Sequence, residues 1–206
     1  MPVKTGVLIS GSGTNLQSLI DEINKGNING EIAVVVSNKE NAYGLERARR
    51  NNIDAVFVDE KKYDSFGLFN DAIITELKGR NVDLVVLAGY IKILSGKFIE
   101  EFKNKIINIH PSLIPSFCGR GYYGIKVHQA AIDYGVKLSG ATVHFVDEGA
   151  DTGSIIFQEA VKISDDDTAE TLQKKVLDLE HRLLPLAVKM YCEDRLYVKE
   201  RRVILK

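Results

Sequence analysis

An amide and an imidazole lie two residues apart in the segment Ile107-Asn108-Ile109-His110-Pro111. Side chains alternate along a strand, so Asn108 and His110 are expected on one side of a strand that Pro111 ends. The carboxyl ends of strands are where open parallel α/β sheets bind ligands. An amide donor beside a titratable ring could stabilise an oxyanion and move a proton. A structural histidine after a buried strand is the competing interpretation of this pair taken alone.

A carboxylate that could complete the pair lies in the acidic segment 147–153, which also holds two glycines. An ordinary solvated turn is the favoured interpretation for the side chains of its first two acids. If the segment folds back toward His110, Asp151 would stabilise the protonated imidazole and raise its pKa toward the working pH. His144, on the preceding predicted strand, fits a structural role as well as a functional one.

A short run of small residues, Gly11-Ser12-Gly13-Thr14-Asn15, separates the first predicted strand from the first predicted helix. Backbone N–H groups in such a turn can close on an anion, and the helix dipole favours negative charge there. The run lacks the third glycine of a dinucleotide fingerprint and the Gly-Lys-Ser/Thr ending of an NTPase loop. It is therefore either a simple tight turn or a monophosphate site.

The segment from Leu87 to Leu94 stays apolar beyond its predicted strand, and Gly89 permits an unusual backbone path. One interpretation is an apolar slot for a flat heteroaromatic ring, edged by backbone polar groups. The other is a buried connection between a strand and a helix.

The elements that must position these segments alternate between strand and helix in the first half of the chain. A continuous β-branched run at 84–88 is typical of a central parallel strand covered on both faces. Two longer strands, 140–146 and 154–161, are expected to pair as an antiparallel hairpin, and a long amphipathic helix over about 168–192 follows. The pattern predicts one α/β domain: a doubly wound, mostly parallel, Rossmann-like sheet with an antiparallel hairpin at one edge and a long C-terminal helix. The other predicted strands are 7–9, 32–36, 55–58 and 106–109, and the other predicted helices are about 15–24, 45–50, 66–77, 96–102 and 127–133.

Composition limits the classes of function. The chain has 206 residues, is 45% hydrophobic and carries 27 Lys+Arg against 28 Asp+Glu. A formal net charge of -1 does not suggest a nucleic-acid or membrane partner. Two cysteines, Cys118 and Cys192, are too few for a disulfide framework and lack the spacing of a metal or redox site. With neither a signal peptide nor a membrane-spanning run, the expectation is a cytoplasmic protein. No metal is expected.

Taken together, these segments resemble the glycinamide ribonucleotide transformylases (phosphoribosylglycinamide formyltransferases), the folate-dependent formyltransferases of purine synthesis. The resemblance runs nearly end to end, with order and spacing kept. It is carried by LISGSGTNLQ at 8–17, SNKENAYGLERAR at 37–49, VVLAGYIKIL at 85–94, INIHPSLIP at 107–115 and GATVHFVDEGADTGSII at 140–156.

The resemblance implies transfer of a formyl group from the co-substrate 10-formyltetrahydrofolate to the amine of 5'-phosphoribosylglycinamide, by a monomer or homodimer. Residues 1–105 would form the phosphoribosyl-substrate half, and residues 106–206 the catalytic and folate-binding half. The implied roles are catalysis for Asn108, His110 and Asp151; acceptor binding for Gly13, Thr14, Asn15, Leu16 and Glu180; and folate binding for Ile91, Lys92, Ile93, Leu94, Asn108, Asp147, Glu148, Gly149, Ala150 and Asp151.

The chain departs from that family in three places. Phe66 stands where some members carry an arginine that meets the folate, the loop 117–126 with Arg120 is longer than usual, and Ser154 replaces a frequent proline. The competing functions are formyltetrahydrofolate hydrolysis, formyl transfer to a charged tRNA, and a non-catalytic nucleotide- or folate-sensing domain. The two rival enzymes carry an additional domain for which this chain is expected to lack room, and the balanced charge argues against tRNA.

Overall fold

The computed structural model describes residues 1–206, which form two compact units, Met1–Ile107 and Asn108–Lys206. The first unit alternates strands and helices. Its strands lie in the order β3-β2-β1-β4, and the three neighbouring pairs are all parallel. Its elements are β1 (Val3–Ile9), α1 (Thr14–Asn24), β2 (Gly30–Ser37), α2 (Tyr43–Arg50), β3 (Ala55–Phe57), α3 (Phe66–Lys78), β4 (Leu84–Leu87) and α4 (Gly96–Glu101).

Apolar burial and side-chain caps explain why the strands and helices of this unit form where they do. Every residue of β4 is buried, as its continuous apolar run predicts. The side chains of Ser65 and Ser95 accept backbone N–H bonds at the starts of α3 and α4. Helix α1 differs, because it follows the left-handed Gly13 (φ 70°) and has no side-chain cap. Its first-turn N–H groups are therefore not satisfied by a capping side chain.

Strand β5 (Ile106–His110) begins in the first unit and ends in the second. The second unit continues with α5 (Ile125–Tyr134), β6 (Leu138–Phe145), β7 (Ile155–Lys162), α6 (Ala169–Cys192), β8 (Leu196–Lys199) and β9 (Arg202–Leu205). Thr168 begins α6 through a reciprocal capping box with Thr171, and a buried apolar stripe runs along the helix. The predicted mixed α/β class, the antiparallel pairing of β6 with β7 and the long helix are confirmed.

The predicted edge of the sheet needs one correction. The strand order β6-β7-β9-β8 places a second antiparallel hairpin, β8–β9, outside the predicted one, with β9 parallel to β7. The turn of this hairpin contains Glu200 in a left-handed conformation (φ 56°) instead of a glycine or asparagine. The usual hairpin signal is therefore missing from the sequence. No helix of the chain has the length and apolar character that crossing a membrane requires.

Candidate active site

Three polar side chains of the second unit meet at the end of β5. The Nδ1 atom of His110 lies 3.6 Å from Oδ2 of Asp151, and the Nδ2 atom of Asn108 lies 3.4 Å from Oδ1 of the same carboxylate. Asn108 and His110 project together because they are two residues apart on one strand. Asp151 reaches them from the loop between β6 and β7. The structure therefore brings together the amide, the imidazole and the carboxylate that the sequence singled out.

The hydrogen bonds of His110 define which ring nitrogen can titrate. Its Nε2 lies 3.0 Å from the carbonyl oxygen of Phe117, which can only accept, so Nε2 carries a hydrogen. In the neutral ring Nδ1 is then unprotonated and faces Asp151. A proton taken up by His110 would enter at Nδ1 and lie against the carboxylate.

Asn108 is held by a second histidine. Its Nδ2 lies 3.1 Å from Nε2 of His144, and the other ring nitrogen of His144 lies 2.7 Å from the carbonyl oxygen of Phe145. The neutral tautomer with hydrogen on Nδ1 satisfies both contacts, because Nε2 then accepts from the amide. Both hydrogens of the Asn108 amide consequently have protein acceptors, His144 and the more distant Asp151. His144 lies 3.6 Å from Asp151 and is buried, so it packs within the same cluster.

Burial decides the pKa of His110. Desolvation lowers this pKa below its ordinary value and outweighs Asp151 and the Phe117 carbonyl, which both raise it; His144 lowers it further. The prediction that Asp151 raises the pKa of His110 is confirmed in direction, but burial, which the sequence does not show, outweighs the carboxylate and leaves the net pKa below its ordinary value. For Asp151, burial raises the pKa, but His144, His110 and the Gly119 N–H together hold it below its usual range.

Two residues that face the ring of His110 have strained backbone conformations. Phe117 and Asp151, which face its two ring nitrogens, have φ values of 50° and 58°. Non-glycine residues adopt this left-handed region at a cost, and such residues cluster at functional sites. The N–H of Gly119 donates to Oδ2 of Asp151 at 2.8 Å, so the loop after β5 holds both the imidazole and the carboxylate.

The loop that carries Asp151 is braced from within. Oδ1 of Asp147 accepts bonds from the N–H of Gly149 and the hydroxyl of Thr152. A Cβ atom at Gly149 would meet Thr152 Oγ1 at 2.0 Å, which explains the glycine. The exposed side chain of Glu148 and the half-buried Ala150 complete the loop. The exposed side chain of Asp147 thus maintains the turn, a role that the prediction of an ordinary solvated turn did not include.

In the first unit, the predicted anion turn begins α1. Gly13 precedes the helix, Thr14 is half-buried, and the side chains of Asn15 and Leu16 are buried. Leu16 is 0% exposed and belongs to the core. A cavity of about 620 Å³ opens beside Gly11 and Ser12; first-unit residues alone line it.

Ser10 ties this turn to the apolar segment after β4. Its N–H donates to the carbonyl of Gly89, while its hydroxyl donates to Asn38 at 2.6 Å and accepts the N–H of Ile91 at 3.0 Å. Ile91 and Ile93 are 44% and 50% exposed, whereas Leu94 is buried. Lys92 pairs with Glu60. Two isoleucines on the surface give this segment the apolar face that the ring-binding interpretation requires.

The remaining predicted positions are more scattered. Glu180 is buried on α6, with 8% of its surface exposed. Phe66 is exposed at the first residue of α3, and Arg120 is exposed in the loop after β5. No group of three or more His, Cys, Asp or Glu side chains is arranged to hold a metal ion.

Sequence reasoning missed two polar side chains that shape the sites. Ser10 joins the two first-unit segments, and Thr142 accepts the N–H of Ile114 and donates to the carbonyl of Ser112 at 2.6 Å. Thr142 shares a face of β6 with His144, so strand alternation was the available signal. Ser10 offered no signal beyond its place at the end of an apolar strand.

The comparisons with known proteins agree over nearly the whole chain. The formyl transferase family model matches residues 3–188. The chain is similar to the phosphoribosylglycinamide formyltransferase of Haemophilus influenzae, with 43% identity over 96% of this chain and 91% of that protein. The crystal structure of glycinamide ribonucleotide transformylase 1 from Symbiobacterium toebii superposes with a TM-score of 0.94 at 45% identity, covering 99% of this chain and 94% of that one.

Some relatives are longer. The chloroplastic phosphoribosylglycinamide formyltransferase of Vigna unguiculata is 42% identical over 94% of this chain, which spans only 62% of that protein.

Proposed function

This chain belongs to the formyl transferase family, and on that premise we propose that it transfers the formyl group of 10-formyltetrahydrofolate to the amine of 5'-phosphoribosylglycinamide. The products are formylglycinamide ribonucleotide and tetrahydrofolate, in purine biosynthesis. The observation that carries the proposal is the cluster of Asn108, His110 and Asp151 at the end of β5. It supplies an amide donor, a titratable ring and an ionised carboxylate, which acyl transfer to an amine requires.

The reaction begins when the neutral amine of the acceptor attacks the formyl carbon on folate N10. A carbon–nitrogen bond forms, and the carbonyl oxygen becomes an oxyanion. Asn108 stabilises it by moving one amide hydrogen from Asp151, the longer of its two contacts at 3.4 Å, to the oxyanion. The bond to His144 keeps the amide plane in place while this hydrogen changes partner.

His110 then carries the proton. The attacking nitrogen bears a positive charge after attack and loses a proton to Nδ1, the ring nitrogen of His110 that carries no hydrogen. The resulting imidazolium is stabilised by Asp151 and delivers its Nε2 proton to N10, so that the bond between N10 and the formyl carbon breaks and the carbonyl reforms. For this delivery the Nε2–H leaves the Phe117 carbonyl; loss of the Nδ1 proton and return of a proton to Nε2 then restore the ring.

Substrate recognition is assigned unit by unit. In the first unit, Gly13, Thr14, Asn15 and Leu16 would bind the acceptor phosphate through backbone groups at the uncapped start of α1. The segment Ile91, Lys92, Ile93 and Leu94 would contact the pterin. In the second unit, Glu180 would bind the acceptor, and Asn108 with Asp147, Glu148, Gly149, Ala150 and Asp151 would bind folate. Residues 1–105 are thus proposed as the phosphoribosyl-substrate half and 106–206 as the catalytic half.

Every group assigned to the reaction lies in one chain, which suits a monomer or a homodimer. The experiment that tests the function incubates the purified protein with 10-formyltetrahydrofolate, with and without phosphoribosylglycinamide. Formyl transfer that depends on the acceptor is the expected result. Release of formate without the acceptor would identify a hydrolase, and no turnover would identify a sensing domain; either outcome contradicts the proposal.

A further inference from the structure

We propose that Arg47 is a positioning residue for the acceptor phosphate: it holds the turn Gly11–Asn15, hereafter the phosphate turn, with its N–H groups directed at the anion. The inference rests on the proposed function and deepens it. The segment 37–49 contributes to the family resemblance, yet none of the roles above uses it. Arg47 lies in this segment, on α2.

The guanidinium of Arg47 donates hydrogen bonds to one residue before the start of α1 and to one residue within α1. Its Nε donates to the carbonyl oxygen of Ser12 at 2.9 Å, and one terminal nitrogen donates to Oε1 of Gln17 at 3.2 Å. Its centre lies 5.0 Å from the middle of the Tyr43 ring. The planar fork of an arginine suits such a geometry, in which separate N–H groups meet separate acceptors.

Peptide geometry converts this contact into an orientation of the turn. In a trans peptide, the carbonyl of one residue and the N–H of the next point in opposite directions. Because Arg47 draws the Ser12 carbonyl toward α2, the N–H of Gly13 points away from α2. One peptide earlier, the N–H of Gly44 on α2 donates to the carbonyl of Gly11 at 3.1 Å. The N–H of Ser12 therefore also points away from α2. Two successive N–H groups, those of Ser12 and Gly13, are thereby turned to the face that an anion would occupy.

Close backbone packing supports the same orientation. A Cβ atom at Gly13 would lie 2.6 Å from the Cα of Gly44, and one at Gly44 would lie 2.3 Å from Cδ1 of Ile9. Helix α2 therefore meets the phosphate turn backbone to backbone. Arg47 is the side chain of α2 that reaches across this contact to the Ser12 carbonyl.

The positive charge of Arg47 is not neutralised by a carboxylate. Glu46 pairs with Arg49 and Arg50 of the same helix, whereas Arg47 forms no ion pair and donates only to uncharged acceptors. A positive charge without a carboxylate partner, fixed behind an uncapped helix start, favours a phosphate at that position.

The test compares Arg47→Ala and Arg47→Lys with Arg50→Ala, a matched control that removes another arginine from the same helix. Initial rates are measured with phosphoribosylglycinamide and with the same acceptor lacking its phosphate. We expect Arg47→Ala to raise the KM for the phosphorylated acceptor about tenfold, as for one charge-assisted contact. Its KM for the folate and its kcat should change less than about twofold, and the penalty should vanish with the dephosphorylated acceptor. Arg47→Lys should recover part of the loss, and Arg50→Ala should match the wild type.

A penalty of equal size with both acceptors, or one confined to kcat, would overturn the inference. Titration of inorganic phosphate, followed by the amide signals of Ser12 and Gly13 in NMR spectra, gives a readout that does not depend on turnover. Weaker phosphate binding in Arg47→Ala supports the inference even if the wild type transfers no formyl group; unchanged binding refutes it. If Arg47→Ala does not fold, Arg47→Lys and Gln17→Ala decide the question in the same assays.

Discussion

The two units differ in the kind of polar group that they bury. The buried polar residues of the first unit are Thr5, Ser10, Asn15, Ser37 and Asn70, none of which titrates near neutral pH. The second unit buries His110, His128, His144 and Glu180, and it contains all four histidines of the chain. The first unit thus offers a backbone turn and an apolar surface, which are suited to binding. The second offers buried groups that can exchange protons, which are suited to chemistry.

This contrast indicates how each unit should respond to substitution. A backbone anion site fails when the turn changes shape, so substitutions there should act on substrate affinity. A cluster of buried titratable side chains fails when one charge or donor is lost, so substitutions there should act on turnover and on pH dependence.

The largest effect is expected for Asp151→Asn in the second unit. Loss of the carboxylate removes the group that raises the pKa of His110 and stabilises its protonated form. We expect kcat to fall by about 10³- to 10⁴-fold, as when an imidazole loses its orienting carboxylate. The limb of the pH–rate profile that reports His110 should move to lower pH. A profile that superimposes on that of the wild type would show that Asp151 does not tune His110.

Asn108→Ala should have the next largest effect, because it removes one oxyanion donor. We expect kcat to fall by about 100- to 1,000-fold, with the KM for the acceptor changed little. Steady-state rates across both substrate concentrations measure the two quantities separately. An unaffected rate would remove Asn108 from the mechanism.

His128 tests the contrast between the two units through the pH dependence of the free energy of unfolding. Burial and the neighbouring His110 lower the pKa of His128 to about 4. The unfolded chain binds this proton near pH 6.5 and the folded chain only near pH 4, so stability is lost as the pH falls through this window. Urea unfolding at pH 7, 5.5 and 4.5 should show a loss of stability that exceeds the loss in His128→Gln by up to about 3 kcal/mol. Parallel pH curves for the two proteins would contradict this assignment.

The smallest effect is expected for Gly13→Ala in the first unit. The left-handed φ of 70° and the approach of Gly44 oppose any Cβ at this position. We expect a loss of about 1–2 kcal/mol in the free energy of unfolding and a raised KM for the acceptor, with kcat nearly unchanged. Gly11→Ala is the matched control, since a Cβ there meets no atom within 4 Å. A fall in kcat without a change in KM would break the distinction between the two units.

The parts of the molecule that local patterns determine could be predicted from the sequence. Apolar runs indicated the parallel strands, and strand alternation placed Asn108 beside His110. The β8–β9 hairpin was missed because its turn lacks the usual glycine or asparagine. The net pKa of His110 could not be predicted, since the sequence shows a possible carboxylate partner but not the depth of burial that outweighs it. Contacts between distant residues, such as Arg47 with Ser12 and Phe117 with His110, likewise arise only on folding.

The proposed division between a binding unit and a proton-transfer unit depends most directly on the state of His110. Imidazole nitrogen shifts, measured by NMR in the histidine-labelled protein across pH 4 to 8, report both its pKa and its tautomer. We predict a pKa below the ordinary value of about 6.5, with the neutral ring protonated at Nε2 and a further decrease in Asp151→Asn. A pKa above that value, or a neutral ring protonated at Nδ1, would contradict the proposed mechanism.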